Sequence, residues 1–238
     1  MVYCAIMIPA GHQLIITKDQ SESLFNETFQ ENLHSTEGAK SETIYNFIEG
    51  CEILNHRGNT LSILEVGFGT GLGFFTTLEF LRKYSPGKKL IFYSLEIDLN
   101  LAKWALKDLQ FTQTDFGLLG LGPDFELRVF IGDAREILPK LKIGPMDAIY
   151  QDPFSPKKNP TLWTLEWFSL LLGLSGPNCI LSTYSSSTNI RKSLLKAGWA
   201  VFERKGFGKK RTSTIARALG ETPQKLKDKL IRSDIPLD

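Results

Sequence analysis

ILEVGFGTGLGFF, residues 63–75, places glycines at alternate positions between two apolar runs. Glycine has no Cβ atom, so it adopts left-handed backbone angles freely and lets another group approach the chain closely. In open α/β sheets, such a turn connects a strand to a helix at the carboxyl edge of the sheet, where ligands bind. The stretch therefore predicts the first strand, the glycine loop and the first helix of an α/β domain.

The rest of the chain repeats this alternation of strand and helix. Short apolar stretches rich in β-branched and aromatic residues predict buried strands at residues 60–66, 89–96, 126–133, 146–152 and 178–184. Helix-like stretches lie between them, at residues 71–83, 99–109, 134–141, 162–172 and 188–197. The alternation predicts an α/β fold with a doubly wound, mostly parallel sheet. After Trp199, the stretches AVFERK and STIARA are joined by the loop GFGKKRT, which predicts an antiparallel C-terminal hairpin at the sheet edge.

Length and composition indicate one main domain with small additions. The chain has 238 residues, of which 42% are hydrophobic and 23% charged, so it can bury a full core. We expect residues 60–220 to form the main domain, residues 1–59 an N-terminal cap and residues 221–238 a basic C-terminal tail. The segment 111–125 is the one long loop that we expect.

Membrane insertion and metal binding are not indicated. No apolar run reaches the roughly 18 residues of a membrane span, and the N-terminus lacks the basic flank of a signal peptide, so we expect a cytoplasmic protein. The cysteines and histidines are too scattered to suggest a disulfide framework or a metal site, and we interpret the thiols as core residues. These residues are Cys4, Cys51, Cys179, His12, His34 and His56.

Positive charge is concentrated in one segment, although the formal net charge is only +2. Between residues 189 and 217 the single acidic residue is Glu203. The basic residues there are Arg191, Lys192, Lys196, Arg204, Lys205, Lys209, Lys210, Arg211 and Arg217. This asymmetry indicates a polyanionic partner.

The spacing of the glycine loop distinguishes two kinds of nucleotide site. A dinucleotide site needs G-x-G-x-x-G, which no frame of GFGTGLGFF supplies. The chain instead has Glu65 near the end of the strand, followed by Gly67, Gly69 and Gly71. This pattern resembles the first motif of Rossmann-like S-adenosylmethionine-dependent methyltransferases. The resemblance implies that the glycines lie against the methionine part and the ribose, while the carboxylate helps to hold the amino-acid end.

Acidic residues also end the next two predicted strands. Glu96 lies roughly 25 residues beyond the glycine loop, near the position that accepts ribose hydroxyls in nucleotide-binding βαβ units. Asp133, in the sequence IGDA, resembles the residue that faces the adenine amino group in this class of methyltransferases. Since the ends of parallel strands meet at one edge of the sheet, these acids together predict S-adenosyl-L-methionine as the cofactor.

The stretch QDPFSPKKNPTLWT, residues 151–164, suggests the methyl acceptor. Asp152, Pro153 and Phe154 resemble the arrangement in amino-group methyltransferases, where a carboxylate and a carbonyl bind the amine and a ring packs on the substrate. D-P-F is equally an ordinary turn followed by a core aromatic residue. Phe154, Trp163 and Phe207 are candidates to receive an unstacked base, although Trp163 at a helix start fits the core better.

Four segments together resemble a specific family, the methyltransferase part of the bifunctional tRNA 5-methylaminomethyl-2-thiouridine biosynthesis protein MnmC and its stand-alone relatives. They are EVGFGTGLGFF, DPFSPKKNPTLWT, STYSSSTNIRKSLLKAGW and RKGFGKKR, and the likeness covers about residues 23–218. LHSTEGAKSET, residues 33–43, is similar to the family's segment that helps to cover the cofactor. The family implies a Rossmann-like class I methyltransferase domain at residues 60–220. Its implied reaction is methyl transfer to the primary amine of 5-aminomethyluridine, with or without 2-thiolation, at the tRNA wobble position.

This resemblance implies roles for individual residues. Asp152 and Phe154 would form the catalytic acceptor site, with Asp152 orienting the amine. The expected tRNA-binding residues are Phe207, Lys205, Lys209, Lys210 and Arg211. Pro153 replaces a common glycine, and Leu33 replaces a common tyrosine. The chain shows no second glycine motif for the family's flavin-dependent oxidoreductase half, so we expect a separate enzyme to supply the amine.

Other functions stay open at this stage. A nucleotide-dependent oxidoreductase would share the fold but lacks its fingerprint here. An RNA-binding module without activity would explain the basic segment but not the acids at the strand ends. Another class I N-methyltransferase would retain every motif, whereas a polyamine synthase-like transferase would need an acidic substrate pocket that fits poorly with the basic segment.

Overall fold

The N-terminal part forms a small antiparallel sheet and a helical segment. The computed structural model describes residues 7–232. The sheet has the order β1 (His12–Ile16), β2 (Glu22–Asn26) and β3 (Glu31–Asn32). Helix α1 (Ala39–Thr43) follows and continues directly into a π-helical segment, Ile44–Glu49, and then a 3₁₀ turn, Ile53–Asn55.

A nine-stranded sheet forms the centre of the molecule. Its strands are β4 (Thr60–Val66), β5 (Lys89–Glu96), β6 (Phe111–Thr114), β7 (Gly117–Leu121), β8 (Phe125–Ile131), β9 (Met146–Gln151), β10 (Ser175–Thr183), β11 (Ala200–Lys205) and β12 (Thr212–Arg217). The spatial order is β11-β12-β10-β9-β4-β5-β8-β7-β6. The five central strands are parallel, and both edges are antiparallel. The predicted parallel sheet and C-terminal hairpin are therefore confirmed.

Helices cover both faces of this sheet, as a doubly wound fold requires. They are α2 (Leu72–Tyr84), α3 (Leu99–Ala105), α4 (Ala134–Ile137), α5 (Leu165–Gly173), α6 (Thr188–Lys196) and α7 (Gln224–Arg232). Alternate residues of β4 enter different cores: Ile63 packs with α2, α3 and the π-helical segment, whereas Leu64 packs with α4, α5, α6 and α7. Alternation along a strand thus joins two hydrophobic cores through one sheet.

Two segments differ in form from the sequence expectation. Residues 111–125, expected as a loop, contain β6 and β7, an antiparallel hairpin that pairs with β8. Its glycines permit this pairing, because a Cβ atom on Gly117 would lie 2.1 Å from the Val129 carbonyl oxygen. Within the expected basic tail, residues 224–232 form α7, which buries Leu226 and Leu230 against the second core.

The described cysteines are core residues. Cys51 and Cys179 are buried free thiols, as the sequence predicted, and Cys4 lies outside the described residues. Between residues 7 and 232, no helix is both long enough and apolar enough to cross a membrane. The same range holds no group of three or more His, Cys, Asp or Glu side chains placed to bind a metal ion.

Candidate active site

A cavity of about 620 Å³ opens at the carboxyl edge of the parallel strands. It lies where the strand order reverses, because β4 is flanked by β5 on one side and by β9 on the other. Ligands of open α/β sheets bind at such a switch point, and the volume is within the range of small-molecule sites. The sheet side of the cavity is lined by Glu65, Val66, Gly67, Gly69, Leu95, Glu96, Gly132, Asp133 and Asp152.

The glycine loop forms the floor of this cavity. Gly67, Gly69 and Gly71 have φ angles of 94°, 54° and 73°, which favour glycine. A Cβ atom on Gly67 would lie 2.8 Å from the Asp152 carbonyl oxygen, so the loop and the segment after β9 are in direct contact. Gly71 sits one step further on, at the N-terminus of α2, and does not line the cavity.

Glu96 holds the glycine loop in place. Its Oε2 accepts a hydrogen bond from the Gly69 amide at 2.9 Å, and its Oε1 accepts from the amides of Ile97 and Asp98 at 2.8 and 3.0 Å. Burial raises the pKa of this carboxyl, and the three amide bonds oppose that effect. A carboxylate has about four acceptor positions, so among the described contacts one position on Oε2 is left for a ligand hydroxyl.

Glu65 lies deeper than its predicted role suggests. The side chain is 3% exposed, accepts a hydrogen bond from the Ser94 hydroxyl at 2.8 Å and touches the edge of the cavity. A Cβ atom on Gly73 would lie 1.9 Å from Glu65 Oε1, so the carboxyl fills the space that this glycine leaves open. Burial raises the pKa of Glu65 well above its usual value. The carboxyl therefore takes up a proton far more readily than a solvated one.

Asp133 has the opposite electrostatic environment. It precedes α4 and accepts a hydrogen bond from the Arg135 amide at 2.9 Å, while the Arg135 guanidinium binds both carboxylate oxygens at 3.1 and 2.7 Å. The bond from this guanidinium lowers the pKa of Asp133. Both residues line the cavity, so the predicted adenine end carries an ionised, well-oriented carboxylate.

The predicted acceptor end is built around the turn after β9. The half-buried Asp152 lines the cavity, and its pKa is raised well above the usual value by burial and by the charges of Glu42 and Glu65. Phe154 also lines the cavity and stacks on Phe29, with ring centroids 4.2 Å apart. The turn combines a carboxyl whose pKa is raised with an aromatic wall, which suits a small polar group on an otherwise flat ligand.

Side-chain donors fix the backbone of this turn. Tyr184 donates a hydrogen bond from its hydroxyl to the Pro153 carbonyl at 2.8 Å, and Trp163 donates from its indole to the Phe154 carbonyl at 3.0 Å. Trp163 is 3% exposed, so it belongs to the core, which is the role that the sequence favoured.

The basic segment is more neutral in space than along the chain. Arg191 is buried and pairs with Glu203, Arg204 pairs with Glu49 at 3.0 Å, and Arg217 pairs with Glu52. The sequence-based interpretation, in which Glu203 alone opposed these charges, missed the acids of the N-terminal part. These charges therefore contribute less to a polyanion surface than their number suggests.

The predicted tRNA-binding residues separate into two groups. Lys210 lines the cavity, whereas Lys205, Lys209 and Arg211 are exposed outside it. Phe207 is also outside the cavity lining and lies near Tyr45, with ring centroids 6.0 Å apart.

The N-terminal segment provides a wall of the cavity. Leu33, already named from the sequence, belongs to this wall and lines the cavity, but sequence reasoning gave no individual role to the other members. Phe29, Glu31, His34 and Glu42 all line the cavity. Glu31 accepts hydrogen bonds from the Ser155 amide and hydroxyl at 3.2 and 2.9 Å, which ties this wall to the acceptor turn. The signal available was the stretch LHSTEGAKSET, which contains His34 and Glu42.

His34 is a neutral member of this wall. Its Nδ1 lies 2.8 Å from the Ser23 hydroxyl, and burial lowers its pKa to about 4. The imidazole therefore carries no charge at neutral pH and offers the cavity a polar, uncharged group.

Comparisons with known proteins agree with this geometry. Residues 96–218 match a family described as S-adenosyl-L-methionine-dependent methyltransferase. The bifunctional tRNA 5-methylaminomethyl-2-thiouridine biosynthesis protein MnmC of Aeromonas salmonicida is 29% identical over 90% of this chain and 36% of its own length. MnmC of Ectopseudomonas mendocina is 36% identical over 69% of this chain and 28% of its own length.

A solved structure gives a fuller match. The crystal structure of MnmC2 from Aquifex aeolicus superimposes with a TM-score of 0.79 at 30% identity, covering 94% of this chain and 77% of that one. By contrast, the chain spans about a third of the length of the bifunctional relatives.

Proposed function

This chain belongs to the S-adenosyl-L-methionine-dependent methyltransferase family, and from that premise we propose that it methylates the primary amine of 5-aminomethyluridine, with or without 2-thiolation, at the wobble position of tRNA. The main support comes from the acceptor end of the cavity, whose lining includes Asp152, Glu42 and the Phe154 ring, with Glu42 close enough to raise the pKa of Asp152. A pair of carboxyls there suits a cationic amine on a planar base.

The residues at the other end of the cavity fit the family's cofactor. The glycine loop presents the backbone of Gly67 and Gly69, Glu96 has an acceptor position that would take a ribose hydroxyl, and Asp133 would accept from the adenine amino group. Glu65 would help to hold the amino-acid end of the cofactor. When bound, the cofactor supplies a sulfonium methyl group: the amine lone pair forms the N–C bond while the C–S bond breaks and its electrons stay on sulfur.

The protein's own contribution is positioning and proton handling. An alkylammonium has no lone pair, so the acceptor must lose a proton before it reacts. Asp152 would accept a hydrogen bond from the amine and pass its proton to water, while Phe154 keeps the base in line. Its raised pKa brings Asp152 closer to the range in which a carboxylate exchanges protons at neutral pH.

A tRNA partner is supported by the names of the relatives and by the exposed cations beside the cavity. Lys205, Lys209 and Arg211 lie on or next to the β11–β12 loop, whose Lys210 reaches the cavity. They are therefore placed to hold phosphates while a base enters the site. This substrate would make the enzyme cytoplasmic, and a separate enzyme would supply the aminomethyl group.

Nucleoside mass spectrometry of tRNA tests this function directly. Cells with the protein should contain the 5-methylaminomethyl nucleoside, and cells without it should accumulate the 5-aminomethyl form. An unchanged nucleoside profile, in a strain whose tRNA contains 5-aminomethyluridine, would exclude the proposed substrate. Thermal stabilisation by S-adenosylhomocysteine but not by NAD would separately exclude an oxidoreductase.

A further inference from the structure

Glu42 is a second carboxylate at the acceptor end of the cavity. It lies on α1 and is 8% exposed. Its Oε2 accepts a hydrogen bond from the Ser35 amide at 2.8 Å, which fixes the side chain. Its Oε1 lies 3.6 Å from the ammonium nitrogen of Lys210. One oxygen is thus used for orientation, while the other holds a cation inside the cavity.

Lys210 occupies a place that suits an alkylammonium. Its Nζ lies 4.3 Å from the centre of the Tyr184 ring, in addition to its contact with Glu42. A carboxylate on one side and an aromatic face on the other are the two partners that bind ammonium groups in proteins. Tyr184 also donates to the carbonyl of Pro153, the residue after Asp152, and the charge of Lys210 lowers the pKa of Asp152, so this place lies near Asp152.

Lys209, the preceding residue, provides a contrast within the same loop. Its Nζ lies 3.7 Å from Glu37, and its side chain is 88% exposed. It does not line the cavity, whereas the Lys210 side chain is 45% exposed and does. Two adjacent lysines with similar ion pairs therefore face different surroundings.

We infer that Glu42 holds the substrate's ammonium beside Asp152 and that Lys210 occupies this position until the substrate displaces it. The inference rests on the proposed function, since it concerns the amine of that substrate. Two ammonium groups held at once by Glu42 Oε1 and one face of the Tyr184 ring would repel each other at short range, so the Lys210 head leaves when the amine enters. Its partly exposed side chain can then turn to the RNA backbone, which would couple phosphate contact to opening of the amine site.

The charges that face Asp152 predict how variants shift its titration. They are Glu42 on α1, Glu65 on β4 and Lys210 in the β11–β12 loop, and the uncharged hydroxyl of Tyr184 after β10 also faces Asp152. Glu42 and Glu65 raise the pKa of Asp152, and Lys210 lowers it. Removing the charge of Glu42 must therefore move the titration of Asp152 to lower pH, and removing that of Lys210 must move it to higher pH.

The test compares Glu42→Gln, Lys210→Gln and the matched control Lys209→Gln, using tRNA that carries 5-aminomethyluridine. The pH dependence of kcat/KM reports the free enzyme. The acid limb of this profile should shift to lower pH for Glu42→Gln and to higher pH for Lys210→Gln, each by on the order of one pH unit. In kcat, the shift for Lys210→Gln should vanish, because the lysine has left the occupied site. Lys209→Gln should weaken tRNA binding without moving either profile.

Binding measurements complete the test. Glu42→Gln should raise the KM for this tRNA by about tenfold or more, the scale for losing a charged hydrogen bond, while cofactor affinity by titration calorimetry stays unchanged. If Lys210→Gln behaves like Lys209→Gln, the inference is wrong, and because Lys210 is partly exposed this variant decides even if Glu42→Gln misfolds. Absence of methylation by the wild-type enzyme would instead reject the proposed function.

Discussion

Three carboxyls at the ends of adjacent strands have been given different chemistry by their surroundings. Glu65 is buried, and this burial raises its pKa. Asp133 is bound by a guanidinium that lowers its pKa. Glu96 is engaged by three backbone amides. At the scale of single residues, a cofactor with a cationic end and a neutral aromatic end would therefore meet two different carboxyls. Its cationic end would meet Glu65, which takes up a proton readily, and its aromatic end would meet the ionised Asp133.

Glu65 should make the protein without cofactor less stable as pH rises. Its raised pKa means that the folded state keeps a proton that the unfolded state loses above about pH 4.5, so stability falls as pH rises through the folded pKa. Glu65→Gln stays neutral and should raise the Tm at pH 8 by on the order of a few degrees. Calorimetric melts across pH measure this. The exposed Glu221→Gln is the control, and equal Tm changes for both variants would contradict the account.

At the scale of elements, the N-terminal sheet and α1 form a wall that is tied to the cavity by polar contacts. Asp19 connects the two parts, because it accepts hydrogen bonds from Thr17 and Ser21 near the sheet and from the Ser41 amide and hydroxyl in α1, both at 2.9 Å. Burial alone would raise the pKa of Asp19, but these bonds outweigh it and lower the pKa well below its usual range. The wall is thus positioned by an ionised carboxylate.

Asp19→Ala should destabilise the protein by about 1 to 2 kcal/mol at neutral pH, since several moderate hydrogen bonds to a partly solvated carboxylate are lost. Because the folded pKa is lowered, this contribution is present above about pH 3.8 and disappears only as pH falls through the lower folded value. Urea denaturation measures it. Asp108→Ala, a change at an exposed turn residue, should alter stability by less than half as much, and a reversed order would refute the role of Asp19.

Local patterns predicted the sheet and the glycine loop because each strand end carries its own signal, such as Glu96 or Asp133. The N-terminal wall could not be predicted from the residues alone. Phe29 lies in a turn and Glu42 on the five-residue helix α1, and only tertiary packing brings them opposite the sheet. Equally, nothing in the run KKR distinguishes Lys209 from Lys210, since their different surroundings arise from the shape of the hairpin loop.

At the scale of the whole molecule, the C-terminal third keeps exposed positive charge on and next to the β11–β12 loop, whose Lys210 lines the cavity. Several basic residues of the C-terminal third are neutralised by acids of the N-terminal part, as Arg204 is by Glu49 and Arg217 by Glu52. The exposed Lys205 and Arg211 lie beside the acceptor end, on either side of the β11–β12 loop. The charge distribution therefore supports the proposed binding of tRNA with one base over the cavity.

The salt dependence of tRNA binding tests this distribution. Affinity should fall steeply with salt, and Lys205→Glu with Arg211→Glu should flatten the slope, because fewer counterions are released. The control is Lys140→Glu with Lys142→Glu, which changes the net charge equally. These exposed residues precede β9, at the amino ends of the parallel strands, so this double variant should preserve the slope. Filter binding or fluorescence anisotropy over a salt series measures both. Equal slopes for the two double variants would mean that overall charge, not this rim, binds the RNA.

The most direct test of the central claim is single-turnover methylation of tRNA carrying 5-aminomethyluridine by the wild type, Asp152→Ala and Asp152→Asn. The wild type should convert the nucleoside to the 5-methylaminomethyl form. Asp152→Ala should be slower by on the order of 100-fold or more while binding S-adenosyl-L-methionine nearly as well. An intermediate rate for Asp152→Asn would indicate orientation of the amine, and a rate as low as that of alanine would indicate proton removal. Near wild-type turnover by Asp152→Ala would contradict the account and leave D-P-F as an ordinary turn.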